Sequence, residues 1–85
     1  MPVQSWLLDF ASTVVNNEKV DRELENQRKY EEFQNLQQKA DSNPDDYEAG
    51  IRSVLAYDQF CATQQRNQNE LDALVMDTRT YLARL

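Results

Sequence analysis

Apolar side chains recur along this chain with the spacing of an α-helix. In the first half, apolar positions three or four residues apart appear in two groups separated by a polar stretch: Val3, Leu7, Phe10 and Val14, then Tyr30, Phe33, Leu36 and Ala40. The second half carries a longer, heptad-like seam: Tyr47, Ile51, Val54, Tyr57, Cys61, Gln64, Gln68, Leu71, Val75, Thr78, Leu82 and Leu85. Steps of three and four residues place side chains on one helix face, so both halves are predicted to be helical.

One short segment, residues 41–46, interrupts the helical pattern. Asn43 is a favourable N-cap residue, and Pro44 suits the first position of a new helix. A residue that precedes proline avoids the α conformation, so the first helix is expected to stop near Ala40 or Asp41. The sequence therefore predicts a helix over about residues 3–41, a turn at 42–44 and a second helix over about 44–84.

The two halves mirror each other about this turn. When the chain is folded back, apolar positions meet at both ends, and the polar stretch Thr63–Glu70 lies opposite Asn17–Leu24. The pairs expected near the turn are Ile51 with Leu36, Val54 with Phe33, and Tyr57 with Tyr30. This consistency favours an all-α fold, an antiparallel helical hairpin of two long helices that forms one domain over residues 1–85. The pair Asn16-Asn17 leaves two alternatives: it could end one helix and cap another, or lie inside one long helix that is continuous or slightly kinked, which is the form expected here.

A hairpin of this kind buries a single seam, and some apolar residues must point away from it. We expect those residues to contact another chain, because the apolar core of so small a domain is thin. The predicted protein-interface residues are Trp6, Leu7, Phe10, Val14, Leu71, Leu74, Val75 and Leu82. Gln64 and Gln68, which interrupt the seam, are candidates for polar contacts that fix the alignment of helices or partners.

The composition excludes most kinds of chemistry. The chain has one Gly, one Cys and no His, so it lacks a glycine-rich phosphate loop, a Cys/His zinc site and a histidine base. A net charge of -6 argues against direct nucleic-acid binding. We therefore expect no catalytic residues, no metal, no cofactor and no small-molecule substrate. Cys61 is expected to be a small buried residue.

The distribution of apolar residues also bears on location. No stretch approaches the roughly 20 apolar residues of a membrane span, and the start of the chain lacks the pattern of a signal peptide. The sequence predicts a protein of the cytoplasm or a part of a macromolecular assembly.

A few features of the chain recur together in one known family. These are Trp6 near the start, a helix–turn–helix with the proline turn Asn43-Pro44-Asp45, and Tyr57 and Gln64 on the second helix. In these features and in length the chain resembles type III secretion needle subunits. It departs from them in the strongly polar stretch Gln65–Glu70 and in lacking an aliphatic-rich tail. The resemblance implies a small hairpin that gains stability from contacts in a polymer, and it transfers no functional residue.

Two functions are consistent with these observations. The first is a non-catalytic structural or assembly subunit that packs an apolar helical stripe against copies of itself or other proteins. A virion component, a part of a secretion apparatus or an assembly adaptor would each fit this description. The alternative is a small acidic inhibitor that docks on a host enzyme or a nucleic-acid-binding protein, for which the net charge of -6 is the main support.

Overall fold

The fold is a hairpin of two long helices. A computed structural model describes residues 4–85, in which helix α1 spans Ser5–Ser42 and helix α2 spans Tyr47–Ala83. The helices pack antiparallel, and the hairpin measures 67 × 17 × 9 Å. The described residues contain no strand, so the predicted all-α hairpin is confirmed. The expected helical start near Val3 lies outside the described residues.

Helix α1 is continuous. Its 38 residues pass through Asn16 and Asn17 without interruption. The helix is rich in Glu, Gln, Lys and Arg, which lose little side-chain freedom in a helix. Lys39 in the last turn also interacts favourably with the negative end of the helix dipole. Of the two alternatives for the Asn16-Asn17 pair, the structure therefore shows the unbroken helix.

The turn differs from its predicted form. The backbone N–H of Asp46 donates to the carbonyl of Asn43 at 2.9 Å, which closes a β-turn with Pro44 at its second position. The fixed φ of proline suits this position as well as it suits the start of a helix. Asp46 then becomes the N-cap of α2, because its side chain accepts a hydrogen bond from the N–H of Ala49 at 3.1 Å. Helix α2 consequently starts at Tyr47, three residues later than predicted.

The contacts between the helices fall into four layers, which we name by position or chemistry. The turn layer comprises Leu36, Ala49, Ser53 and Ala56. The aromatic layer comprises Tyr30, Phe33, Tyr57 and Phe60. The polar layer comprises Glu18, Arg22, Glu25, Asn26, Arg66, Asn67 and Glu70. The open-end layer, farthest from the turn, comprises Leu8, Ala11, Val15, Val75, Thr78 and Leu82.

The helix alignment is displaced from the predicted one by about one turn. Tyr57 packs against Phe33 with ring centroids 5.1 Å apart, and Tyr30 packs against Phe60 at 5.2 Å, both with tilted rings. The predicted partner of Phe33 was Val54, three residues before Tyr57, so the predicted pairing is wrong. The face that α2 turns towards α1 also differs, since the buried positions near the turn are the small residues of the turn layer. Small side chains let two helix backbones approach closely, and this favours them at the seam.

Candidate functional site

The polar layer surrounds one fully buried amide. The side chain of Asn67 is 1% exposed. Its Oδ1 accepts a hydrogen bond from Arg22 at 2.9 Å, while its Nδ2 donates to Asn26 at 2.8 Å and to Glu25 at 3.3 Å. A buried amide without partners would destabilise the fold, so these bonds require a defined alignment of the two helices. Every buried side-chain nitrogen or oxygen of residues 4–85 has a hydrogen-bond partner.

Two ion pairs cross the seam on either side of Asn67. Arg22 of α1 pairs with Glu70 of α2, and Arg66 of α2 pairs with Glu25 of α1. Arg22 is also held by Glu18 of its own helix at 2.7 Å. Hydrogen bonds to Glu70 and Glu18 raise the pKa of the Arg22 guanidinium, so its charge is permanent at any physiological pH.

The glutamines assigned to the seam do not take part in this layer. Gln64 and Gln68 are both exposed, and their assignment to the seam was wrong. Asn67 takes that place because the true seam of α2 runs one position away, through Phe60, Thr63 and Asn67. This second series also has steps of three and four residues, and both series are polar at the middle of the hairpin, with Thr63 and Asn67 in one and Gln64 and Gln68 in the other. Hydrophobic spacing alone could not have selected it.

The structure separates the eight predicted interface residues into two groups. Half-buried positions along the seam are occupied by Leu7, Leu71, Leu74, Val75 and Leu82. Trp6, Phe10 and Val14 are exposed, the first two by 65% and 61%. These three, at steps of four residues, form a stripe on the outer face of α1 at the open end, which we name the α1 stripe.

The open-end layer is loosely packed. A groove of about 250 Å³ runs between the helices there, lined by apolar side chains of both helices together with Ser12, Asn16, Thr78 and Arg79. Val75 and Leu82, two of the predicted interface residues, line this groove. Each of them therefore contacts the other helix of its own hairpin and still borders open space.

A second apolar stripe lies near the turn and was missed by the sequence analysis. Ile51 and Val54 were expected to close the hairpin, but they are 62% and 61% exposed. With Tyr47, which is also exposed, they form a stripe on the outer face of α2, which we name the α2 stripe. A shallow depression of about 490 Å³ follows it, and beside the stripe a Cβ added to Gly50 would meet no atom within 4 Å. The sequence does contain a sign of this exposure. Two faces of α2 have helical spacing, one with Ile51 and Val54 and one with Ala49 and Ala56, and only one of them can pack against α1.

Cys61 is exposed, and the expectation that it is buried was wrong. It lies one turn after Tyr57 on α2, where hydrogen bonding to Cys61 and the charge of its thiolate raise the pKa of the tyrosine hydroxyl. Nothing else in its surroundings marks it as a reactive site.

Within residues 4–85, no three acidic or cysteine side chains come together as a metal ion would require. Neither helix, over that part of the chain, combines the length and the apolar character needed to cross a membrane.

Comparison of the chain with protein-family models, with curated proteins and with solved structures gives no significant match.

Proposed function

We propose that this protein is a non-catalytic structural or assembly subunit, which packs exposed apolar helix faces against copies of itself or other proteins. A larger complex such as a virion, a secretion apparatus or a scaffold built by an adaptor is the setting that this role implies. The observation that carries the proposal is the inversion of the usual burial pattern. The only buried apolar residues among those described are Ala49 and Ala56, whereas Trp6, Phe10 and Ile51 are each more than half exposed.

The placement of the exposed residues supports an interface. Large exposed apolar patches are uncommon on monomeric proteins and mark sites of association. Here six of the exposed apolar residues form two stripes, while others, such as Val20 and Met76, lie outside them. The α1 stripe lies at the open end and the α2 stripe lies near the turn, about 50 Å apart along the hairpin by helix rise. One subunit therefore has an apolar surface to offer at each end.

The test of this proposal is a substitution in the α1 stripe. Phe10→Asp introduces a charge into the stripe without touching the seam, so we expect a folded, helical hairpin that no longer associates. Val20→Asp is the matched control, because Val20 is also exposed on α1 but lies outside both stripes. The measurement is molar mass by sedimentation over a hundredfold range of concentration. Wild-type protein that stays monomeric and binds no protein partner at any concentration would contradict the proposal.

The acidic inhibitor remains the second candidate, and one feature favours it. The turn end carries four exposed acids close in sequence, Asp41, Asp45, Asp46 and Glu48, against Lys39 and Arg52. A surface of this kind would dock on a basic partner, and its binding would weaken with salt. Apolar self-association strengthens or persists in salt. Sedimentation in about 0.05 M and about 0.5 M NaCl therefore distinguishes the two functions.

A further inference from the structure

We propose that the polar layer, rather than the turn or the apolar seam, fixes which residues of the two helices lie opposite each other. This selection acts within the hairpin of a single chain, whatever that chain assembles with.

The charges of the polar layer oppose a slide of α2 along α1 that moves Glu70 from Arg22 towards Glu18. Arg22 now contacts Glu70, which lies one turn after Arg66 on α2. A slide of four residues would bring Arg66 opposite Arg22. The same slide would bring Glu70 opposite Glu18. Both attractive contacts would be replaced by repulsion between like charges, and Asn67 would lose its partners on α1.

The charges oppose the reverse slide as well. Glu25 now contacts Arg66. Four residues in the other direction would bring Glu70 opposite Glu25, and Arg66 opposite Lys29. Like charges would again meet at two points. Of the three neighbouring alignments, only the observed one pairs opposite charges across the seam.

The rest of the sequence does not supply this selection. Asn43 and Pro44 could start α2 three residues earlier, with Asn43 as the N-cap. That shorter turn shifts α2 by about one turn of helix, in the first of the two directions above. The apolar spacing favours the same shifted alignment, in which Ile51 faces Leu36. The chain instead caps α2 with Asp46, so an interaction elsewhere must favour the observed alignment. The polar layer is the part of the seam whose contacts differ in sign between the observed and the shifted alignment.

The alignment can be measured as a distance between two spin labels. We would place one at Gln27 and the other at Met76, both exposed, in a Cys61→Ser background. Labelled chains are diluted in unlabelled protein so that only distances within one chain contribute. A slide to the shorter turn moves the two labels apart along the hairpin by about 5–6 Å, because it displaces α2 by three to four residues, each of which rises about 1.5 Å. The wild-type hairpin is expected to give a single distance.

The decisive variant is Arg66→Glu/Glu70→Arg, which keeps composition and net charge. In the observed alignment it places like charges opposite each other at both ion pairs, whereas a slide in either direction pairs opposite charges. We expect the original distance to be lost and a longer distance to appear, which corresponds to labels about 5–6 Å farther apart along the hairpin. Adding Arg22→Glu and Glu25→Arg reverses the charges of α1 as well, and should restore the original distance.

Asp46→Ala is the control for the turn. It removes the N-cap of the observed α2 and leaves the polar layer intact, so we expect the original distance to persist. Retention of the original distance in Arg66→Glu/Glu70→Arg overturns the proposal, and so does a slide caused by Asp46→Ala. If circular dichroism shows that the charge-reversed variant is unfolded, Arg66→Gln/Glu70→Gln replaces it. This neutral variant should give both distances, and a single unchanged distance would overturn the proposal.

Discussion

The two ends of the hairpin differ in how closely their helices pack. Near the turn, α2 buries Ala49, Ser53 and Ala56 against α1. At the open end, no residue described after Asn67 is buried. Grooves border the helices at both ends, about 480 Å³ beside Leu36 and Ala56 and about 250 Å³ beside Val75 and Leu82. Small side chains permit close backbone approach, whereas the mixture of short and branched side chains in the open-end layer leaves gaps. The comparison teaches that buried side chains secure this hairpin at its turn end only, whereas apolar stripes are exposed at both ends.

The strongest way to break this comparison is to enlarge a residue of the turn layer. Ala56→Leu adds three carbon atoms to a buried side chain of the seam, and should lower the free energy of unfolding by up to about 3 kcal/mol. Ala62→Leu, at an exposed position of the same helix, is the control and should change it little. Both are measured by urea denaturation at one protein concentration. Equal effects of the two substitutions would mean that the turn layer is no tighter than the surface.

The polar layer, which lies between the two ends, should show the next largest effect. Asn67→Ala leaves Asn26 and Glu25 without one hydrogen-bond partner each, and should lower the free energy of unfolding by about 2 kcal/mol. Gln68→Ala is the matched control, because Gln68 is exposed and bonds only to Asp72 of its own helix. We expect its effect to stay within about 0.5 kcal/mol. Similar losses from both would show that burial of the amide contributes nothing.

The smallest expected effect has the opposite sign and sharpens the comparison. Ala11→Leu adds apolar atoms to the groove of the open-end layer, and should raise the free energy of unfolding by about 0.5–1 kcal/mol. Ala73→Leu, exposed in the same half of the hairpin, is the control. A loss of stability in Ala11→Leu as large as that in Ala56→Leu would show that the two ends are packed alike.

Much of the architecture follows from the sequence. The scarcity of Gly and Pro and the spacing of apolar residues predict two long helices, and Pro44 marks the turn between them. The expectation that polar residues meet polar residues midway along the hairpin is also confirmed, since Arg22 contacts Asn67 and Glu70 there. These features depend on local properties of the chain, which a sequence displays directly.

The face and alignment of α2 did not follow from the sequence. Two neighbouring faces of α2 have helical spacing near the turn, and the more apolar one, with Ile51 and Val54, was assigned to the seam. The structure places that face outside and buries Ala49 and Ala56 instead. Hydrophobic spacing measures how apolar a face is, whereas helix packing also depends on side-chain size and on charge pairs from the other helix. The predicted interface stays a proposal at the α1 stripe, because Trp6, Phe10 and Val14 were expected to point away from the seam and are exposed in the structure.

The antiparallel arrangement brings Ser5 and Ala83 to the same end of the molecule. Tension applied between them would separate the helices progressively from the open end, instead of breaking all the contacts between the helices at once. The open-end layer would break first, and the ion pairs on either side of Asn67 would be the first strong interactions to resist further separation. The mechanical strength of the hairpin is thus set by a few residues midway along its length, not by the total area that it buries.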